Sequence, residues 1–158
     1  TIAIGIPVAY LEDTEYYRNH ETLLRLQVNT VLAESPSILI TDNDQRFRDT
    51  VLEVLRPAGY RMIEAEDGIE AVEIVRHKEV HVVLLDMHMP RQTGLETLRL
   101  MKQFKALLPC ILLSAQMDDD LEQEAREAQA FEVLHKPVSR VDLTSVIEQA
   151  LARTYGLG

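Results

Sequence analysis

Six residues scattered along the chain are of types that do chemistry with ions: Asp42, Asn43 and Asp44 in one run, then Asp86, Ser114 and Lys136. Each group follows directly on a short apolar stretch, "ILIT", "VVLL", "CILL" and "FEVLH" in turn. Carboxylates brought together repel one another, and a cluster of them is normally held by a cation. Oxygen ligands point to magnesium, a hard ion that keeps several waters and uses only one or two protein carboxylates. A lysine ammonium beside them would attract an incoming anion, and a serine hydroxyl would donate to it. Together these groups suit phosphoryl transfer to a carboxylate, where positioning and charge neutralisation supply most of the catalysis.

For these distant residues to meet, the elements between them must bring them to one edge. From residue 37 onward, short apolar runs alternate with stretches of helical period. The strand candidates are "ILIT" (38–41), "YRMIEA" (60–65), "HVVLLD" (81–86), "CILLS" (110–114) and "FEVLH" (131–135). Most are rich in Ile, Val or Leu without strict alternation, as in parallel strands covered on both faces. Between them, "QRFRDTVLEVLR" sets Phe47, Val51, Leu52, Val54 and Leu55 on one side of a helix that Pro57 and Gly59 close. "GIEAVEIVRHK", "GLETLRLMKQFK" and "DLEQEAREAQA" repeat the period, and "SRVDLTSVIEQALART" supplies a last helix with Ser139 as its cap. The pattern predicts a doubly wound α/β domain with a five-stranded parallel sheet over residues 37–158. In such folds ligands sit outside the carboxyl ends of the strands, where the six residues fall.

The segment from Ser37 to about Tyr155 resembles a response-regulator receiver domain, the flavodoxin-like phosphoacceptor module of two-component signalling. The resemblance rests on "ILITDND", "AGYRMIEAEDGIEAV", "VVLLDMHMPRQTGLE", "CILLSA" and "VLHKPVSRVDL", in that order, over roughly three quarters of the chain. It implies strand order 2-1-3-4-5 and a protein that is no enzyme beyond catalysing its own phosphorylation and dephosphorylation. It implies that Asp86 is the nucleophile attacked through phosphorus, with Mg2+ held by Asp42, Asp86, the position of Asn43 and the backbone carbonyl of His88. Ser114 would donate to a phosphoryl oxygen, Lys136 would pair with Asp86 or its phosphate, and Pro137 would fix the turn that aims the lysine, in many receivers through a cis bond. Gly68 and Gly94 would serve the turns that open the second and third helices. The implied partners are a histidine kinase or phosphotransfer protein and an output protein whose identity the sequence does not carry.

The sequence departs from that pattern at three places. Asn43 stands where receivers usually carry a second acidic ligand, so magnesium binding is expected to be weakened rather than abolished. Val133 occupies the position where receivers commonly place a Tyr or Phe that swings inward; Phe131, of the same strand parity, is a conceivable substitute. Thr93 replaces a frequent Asp. Asn43 and Val133 motivate an alternative, a pseudo-receiver that makes protein contacts independently of phosphate. A remoter alternative is a haloacid-dehalogenase-like phosphatase, with Asp42 as nucleophile and Asp44 as acid/base in "ILITDND", which leaves Asp86 unexplained.

Composition narrows the partners. With 158 residues, 46% of them hydrophobic, the chain has material for one domain and a short appendage. A net charge of -10 and a pI near 4.9 argue against direct nucleic-acid binding, which rests on Lys and Arg neutralising phosphates. No apolar run reaches the ~18 residues of a membrane span, and the first residues lack the basic flank of a signal peptide, so a cytoplasmic location is expected. The single Cys110 lies in an apolar run and reads as a buried, inert thiol. Residues 1–36 form a separate N-terminal extension, with "TEYYRNHETLLRLQVNTVLAE" mainly helical over about 14–34 and Pro36 at the boundary. Tyr17, Leu24 and Val31 recur at heptad spacing. That helix reads either as a coiled coil, which would allow a homodimer, or as a helix packed on the domain.

Overall fold

Ile38, Leu39 and Ile40 are all fully buried although successive strand residues point to opposite faces, which requires a sheet covered on both sides. The computed structural model describes residues 35–116 and 118–156. The helix expected over residues 14–34, with its coiled-coil reading, lies outside them. The strands are β1 (Ser37–Thr41), β2 (Arg61–Ala65), β3 (Val82–Asp86), β4 (Cys110–Ser114) and β5 (Glu132–His135). They form one parallel sheet in the order β2-β1-β3-β4-β5, as the resemblance implied. The helices between and after them are α1 (Gln45–Leu55), α2 (Gly68–His77), α3 (Gly94–Phe104), α4 (Asp119–Glu127) and α5 (Arg140–Tyr155).

Strand parity sorts the core into two layers. Ile38, Ile40, Val82, Leu84, Ile111 and Leu113 face α1 and α5, meeting Val51, Leu55 and Ile147. Leu39, Val83, Leu85, Cys110 and Leu112 face the other way, onto Ala71 and Val75 of α2, Leu98 and Met101 of α3, and Ala125 of α4. Cys110 is buried, and burial pushes its thiol up to about 12, so it is an unreactive core group. The edge strands carry exposed charge, Arg61 and Glu64 on β2 and Glu132 on β5, which discourages further strand pairing.

Phe131 precedes β5 instead of lying in it, and this corrects the parity argument. It packs with the α5-side layer while Val133 packs with the opposite one, so Phe131 does not stand in for an aromatic at position 133.

Helix starts are fixed by side chains. Asp44, Asp67, Thr93, Asp118 and Ser139 each accept a backbone N–H of the first turn, and Thr93 forms a reciprocal capping box with Glu96. Thr93 therefore has a local structural use. Behind it, Gly94 sits so close under the sheet edge that a Cβ there would overlap the Asp86 carbonyl oxygen and lie 2.9 Å from the Met87 Cα. Backbone cannot swing aside as a side-chain tip can, so Gly94→Ala is expected to cost about 1–3 kcal/mol in urea unfolding. An unchanged midpoint would mean that α3 does not press on the end of β3 in this way.

Candidate phosphoacceptor site

Register determines which residues meet. Thr41 pairs with Leu85, so the next residues, Asp42 and Asp86, leave β1 and β3 side by side. Ser114 ends β4 opposite His135, and the backbone N–H of Lys136 then donates to the Ser114 carbonyl at 2.7 Å, turning the lysine over the same edge. The Lys136–Pro137 peptide is cis.

The Lys136 ammonium lies 2.8 Å from Asp42 Oδ2 and 3.4 Å from Asp86 Oδ1. Both carboxylates are nearly closed off, at 1% and 5% exposure. Asp42 Oδ1 also accepts the Asp44 N–H at 2.8 Å, and Asp86 Oδ1 accepts the His88 N–H at 3.3 Å. Among the described residues Asp86 Oδ2 takes no hydrogen bond, which leaves one oxygen of that carboxylate uncommitted. His88 thus meets the site through its backbone, and its side chain is exposed.

The other expected residues are placed less directly. Asn43 follows Asp42 on the exposed side of the turn. Asp44 is exposed and its carboxylate caps α1 through the Arg46 N–H at 2.9 Å, a structural use that the phosphatase reading would need it to abandon. Ser114 is buried at the end of β4, but its hydroxyl donates to the Gln116 carbonyl at 2.7 Å and accepts the Gln116 N–H at 3.2 Å. It is closed on its own loop rather than on Asp86.

Two contributors escaped the sequence reading. Arg48, buried on α1, donates from Nη1 to the Asp42 carbonyl at 2.6 Å and pairs through Nε with Glu64 of β2 at 3.2 Å. It ties the end of β1 to the neighbouring strand and to the helix below. The signal was available: an arginine on the apolar stripe of α1 needs buried acceptors. Phe47, beside it, places its ring centroid 4.1 Å from the Lys136 ammonium.

Burial raises the Asp86 carboxyl above its ordinary range, the Asp42 charge raises it further, and Lys136 with the His88 N–H offset part of this. A pocket in which two carboxylates share one ammonium and one of them is still held up fits an added cation. Two carboxylates, one of which has an uncommitted oxygen among the described residues, match an ion that uses only one or two protein carboxylates, and among the described residues no group of three or more Asp, Glu, His or Cys side chains forms an alternative cage. The raised carboxyl also has a stability consequence. Below the ordinary carboxylate range both folded and unfolded chains hold the proton, and the folded state loses stability as pH rises through the folded value. Asp86→Asn, which cannot ionise, is therefore expected to melt higher than wild type at neutral pH in EDTA, with the difference vanishing toward pH 3 to 4. A lower melting temperature at neutral pH would show that Asp86 is held as a favourable ion pair instead.

Comparison with known proteins identifies the domain that carries these residues. Residues 38–148 match the family model described as the response regulator receiver domain. The chain is 34% identical over 121 residues to the transcriptional regulatory protein ZraR of Klebsiella oxytoca and 36% identical over 117 residues to the transcriptional regulatory protein PdtaR of Mycobacterium tuberculosis. These alignments cover 77% and 73% of this chain but only 27% and 57% of the relatives, so the chain spans about a quarter to rather more than half of their length. A receiver domain from Clostridium thermocellum superposes with a TM-score of 0.73 at 29% identity, covering 78% of this chain and 99% of the other. Among the described residues no helix is long and apolar enough to cross a membrane. Since the matched region takes in all five strands apart from Ser37, the first residue of β1, the chain belongs to the response regulator receiver domain family, the signalling modules of two-component systems.

Proposed function

We propose that this receiver accepts a phosphoryl group on Asp86 from a histidine kinase or phosphotransfer protein, with Mg2+ present, and that the modification alters its contacts with an output protein. The observation that carries the proposal is the sharing of one lysine ammonium by two buried carboxylates at the strand ends, with one Asp86 oxygen left uncommitted. Receivers in general act as phosphoacceptors and typically bind Mg2+.

In the proposed reaction, a lone pair of Asp86 Oδ2 attacks phosphorus and a new O–P bond forms. The P–N bond of a phosphohistidine donor breaks, and its electron pair leaves with the imidazole nitrogen. Lys136 offsets negative charge on Asp86 and on the incoming phosphoryl oxygens. The His88 N–H and the packing of Gly94 under the Asp86 carbonyl fix the nucleophile in place. Ser114 donates to a phosphoryl oxygen only after its turn with Gln116 opens, so phosphorylation and movement of the loop after β4 go together. Asp42, Asp86, the Asn43 amide oxygen and the His88 carbonyl are the proposed magnesium ligands; when bound, the ion neutralises charge on the carboxylates and the phosphoryl oxygens.

A second reading, a module whose contacts do not depend on phosphate, draws on the exposed amide at position 43 and on aliphatic Val133. One assay separates the two. Incubation with acetyl phosphate and Mg2+ is expected to add one acid-labile phosphoryl group to wild type and none to Asp86→Asn or to wild type in EDTA. Absence of any gain at high magnesium would favour the second reading.

The amide itself can be tested separately. Asn43→Asp adds one negative charge beside a dication, worth on the order of tenfold or more in magnesium affinity at contact distances. Calorimetric titration is expected to show that gain; equal affinities would remove position 43 from the ligand set.

A further inference from the structure

We infer that Phe47 is a positioning residue for the Lys136 ammonium, an inference that rests on the phosphoacceptor reading. The ammonium lies 4.1 Å from the ring centroid, well inside the ~6 Å reach of a cation–π contact. It is also poorly hydrated, since the Lys136 side chain is only 20% exposed. A lysine is a point charge on a four-carbon stem with many rotamers, and both of its carboxylate contacts, Asp42 at 2.8 Å and Asp86 at 3.4 Å, are to groups that the phosphoacceptor reading assigns to the metal and the phosphoryl group. The ring supplies a third hold, one that is not a carboxylate.

The choice of an aromatic is chemically apt. A third carboxylate could also hold the ammonium, but it would repel the phosphoryl anion that the site must admit. The face of a ring attracts a cation through its quadrupole and adds no formal charge. A dication bound by Asp42 would weaken that residue's hold on the ammonium, whereas the uncharged ring would keep its own. The ring is itself well anchored. Phe47 packs on the layer containing Ile38 and Ile40, and its helix is fastened to the end of β1 by the Asp44 cap and by Arg48 on the Asp42 carbonyl.

The test uses Phe47→Leu, which keeps an apolar side chain on the core, and Phe47→Tyr, which keeps the ring. Two quantities are measured in the whole chain: the proton chemical shift of the Lys136 Cε methylene, which ring shielding moves upfield, and the rate of phosphorylation by acetyl phosphate at saturating Mg2+. Phe47→Leu is expected to lose the upfield shift and to react about 2- to 5-fold more slowly, and Phe47→Tyr to retain both. Equal impairment of the two variants would reduce Phe47 to packing, and an unchanged Lys136 shift in Phe47→Leu would remove the contact; either overturns the inference. If wild type takes no phosphoryl group, the phosphoacceptor reading fails while the Lys136 shift still decides whether the ring holds the ammonium.

Discussion

The rest of the structure answers to one electrostatic constraint: two buried carboxylates, Asp42 and Asp86, stand side by side at the ends of adjacent strands. Left alone they would repel, and burial makes that repulsion stronger than it is in water. The Lys136 ammonium offsets it from across the sheet, bound to one carboxylate and leaning toward the other. This is an arrangement suited to receiving more ions. One carboxyl is still held above its ordinary range, and a single ammonium compensates both.

Maintaining such a pocket calls for a frame that does not give. The parallel sheet provides it by burying both faces, so the register that aligns Asp42 with Asp86 is fixed by apolar contacts on two sides. A slip of one residue in β1 would put Ile38 and Ile40 on the wrong layer as well as separating the carboxylates. Local devices then fasten each strand end. Arg48 and Glu64 secure β1, Gly94 brings α3 against β3, and the Lys136 N–H bond to the Ser114 carbonyl joins β4 to β5. Ser114 differs from these, its hydroxyl being closed on the Gln116 backbone instead of on another strand end.

Much of this was legible in the sequence. Apolar runs that stop at Asp, Ser and Lys mark strand ends in a parallel sheet, and the topology brings those ends together whatever the loops do. What escaped notice depends on side-chain direction. Arg48 and Phe47 share a helix stripe with Val51 and Leu55, and periodicity alone counts such residues as core. Only three-dimensional placement shows that one reaches the Asp42 carbonyl and the other the ammonium. Phe131 failed for a related reason. Alternation holds within a strand, and β5 begins one residue later, at Glu132.

Asp86, and not Asp42, is the proposed nucleophile of this carboxylate pair. Borohydride reduces an acyl phosphate but leaves a free carboxylate untouched, so treatment after reaction with acetyl phosphate and Mg2+ converts the phosphorylated residue to homoserine. Peptide mass mapping is predicted to find homoserine at position 86. Homoserine at position 42, or at neither, would contradict the account.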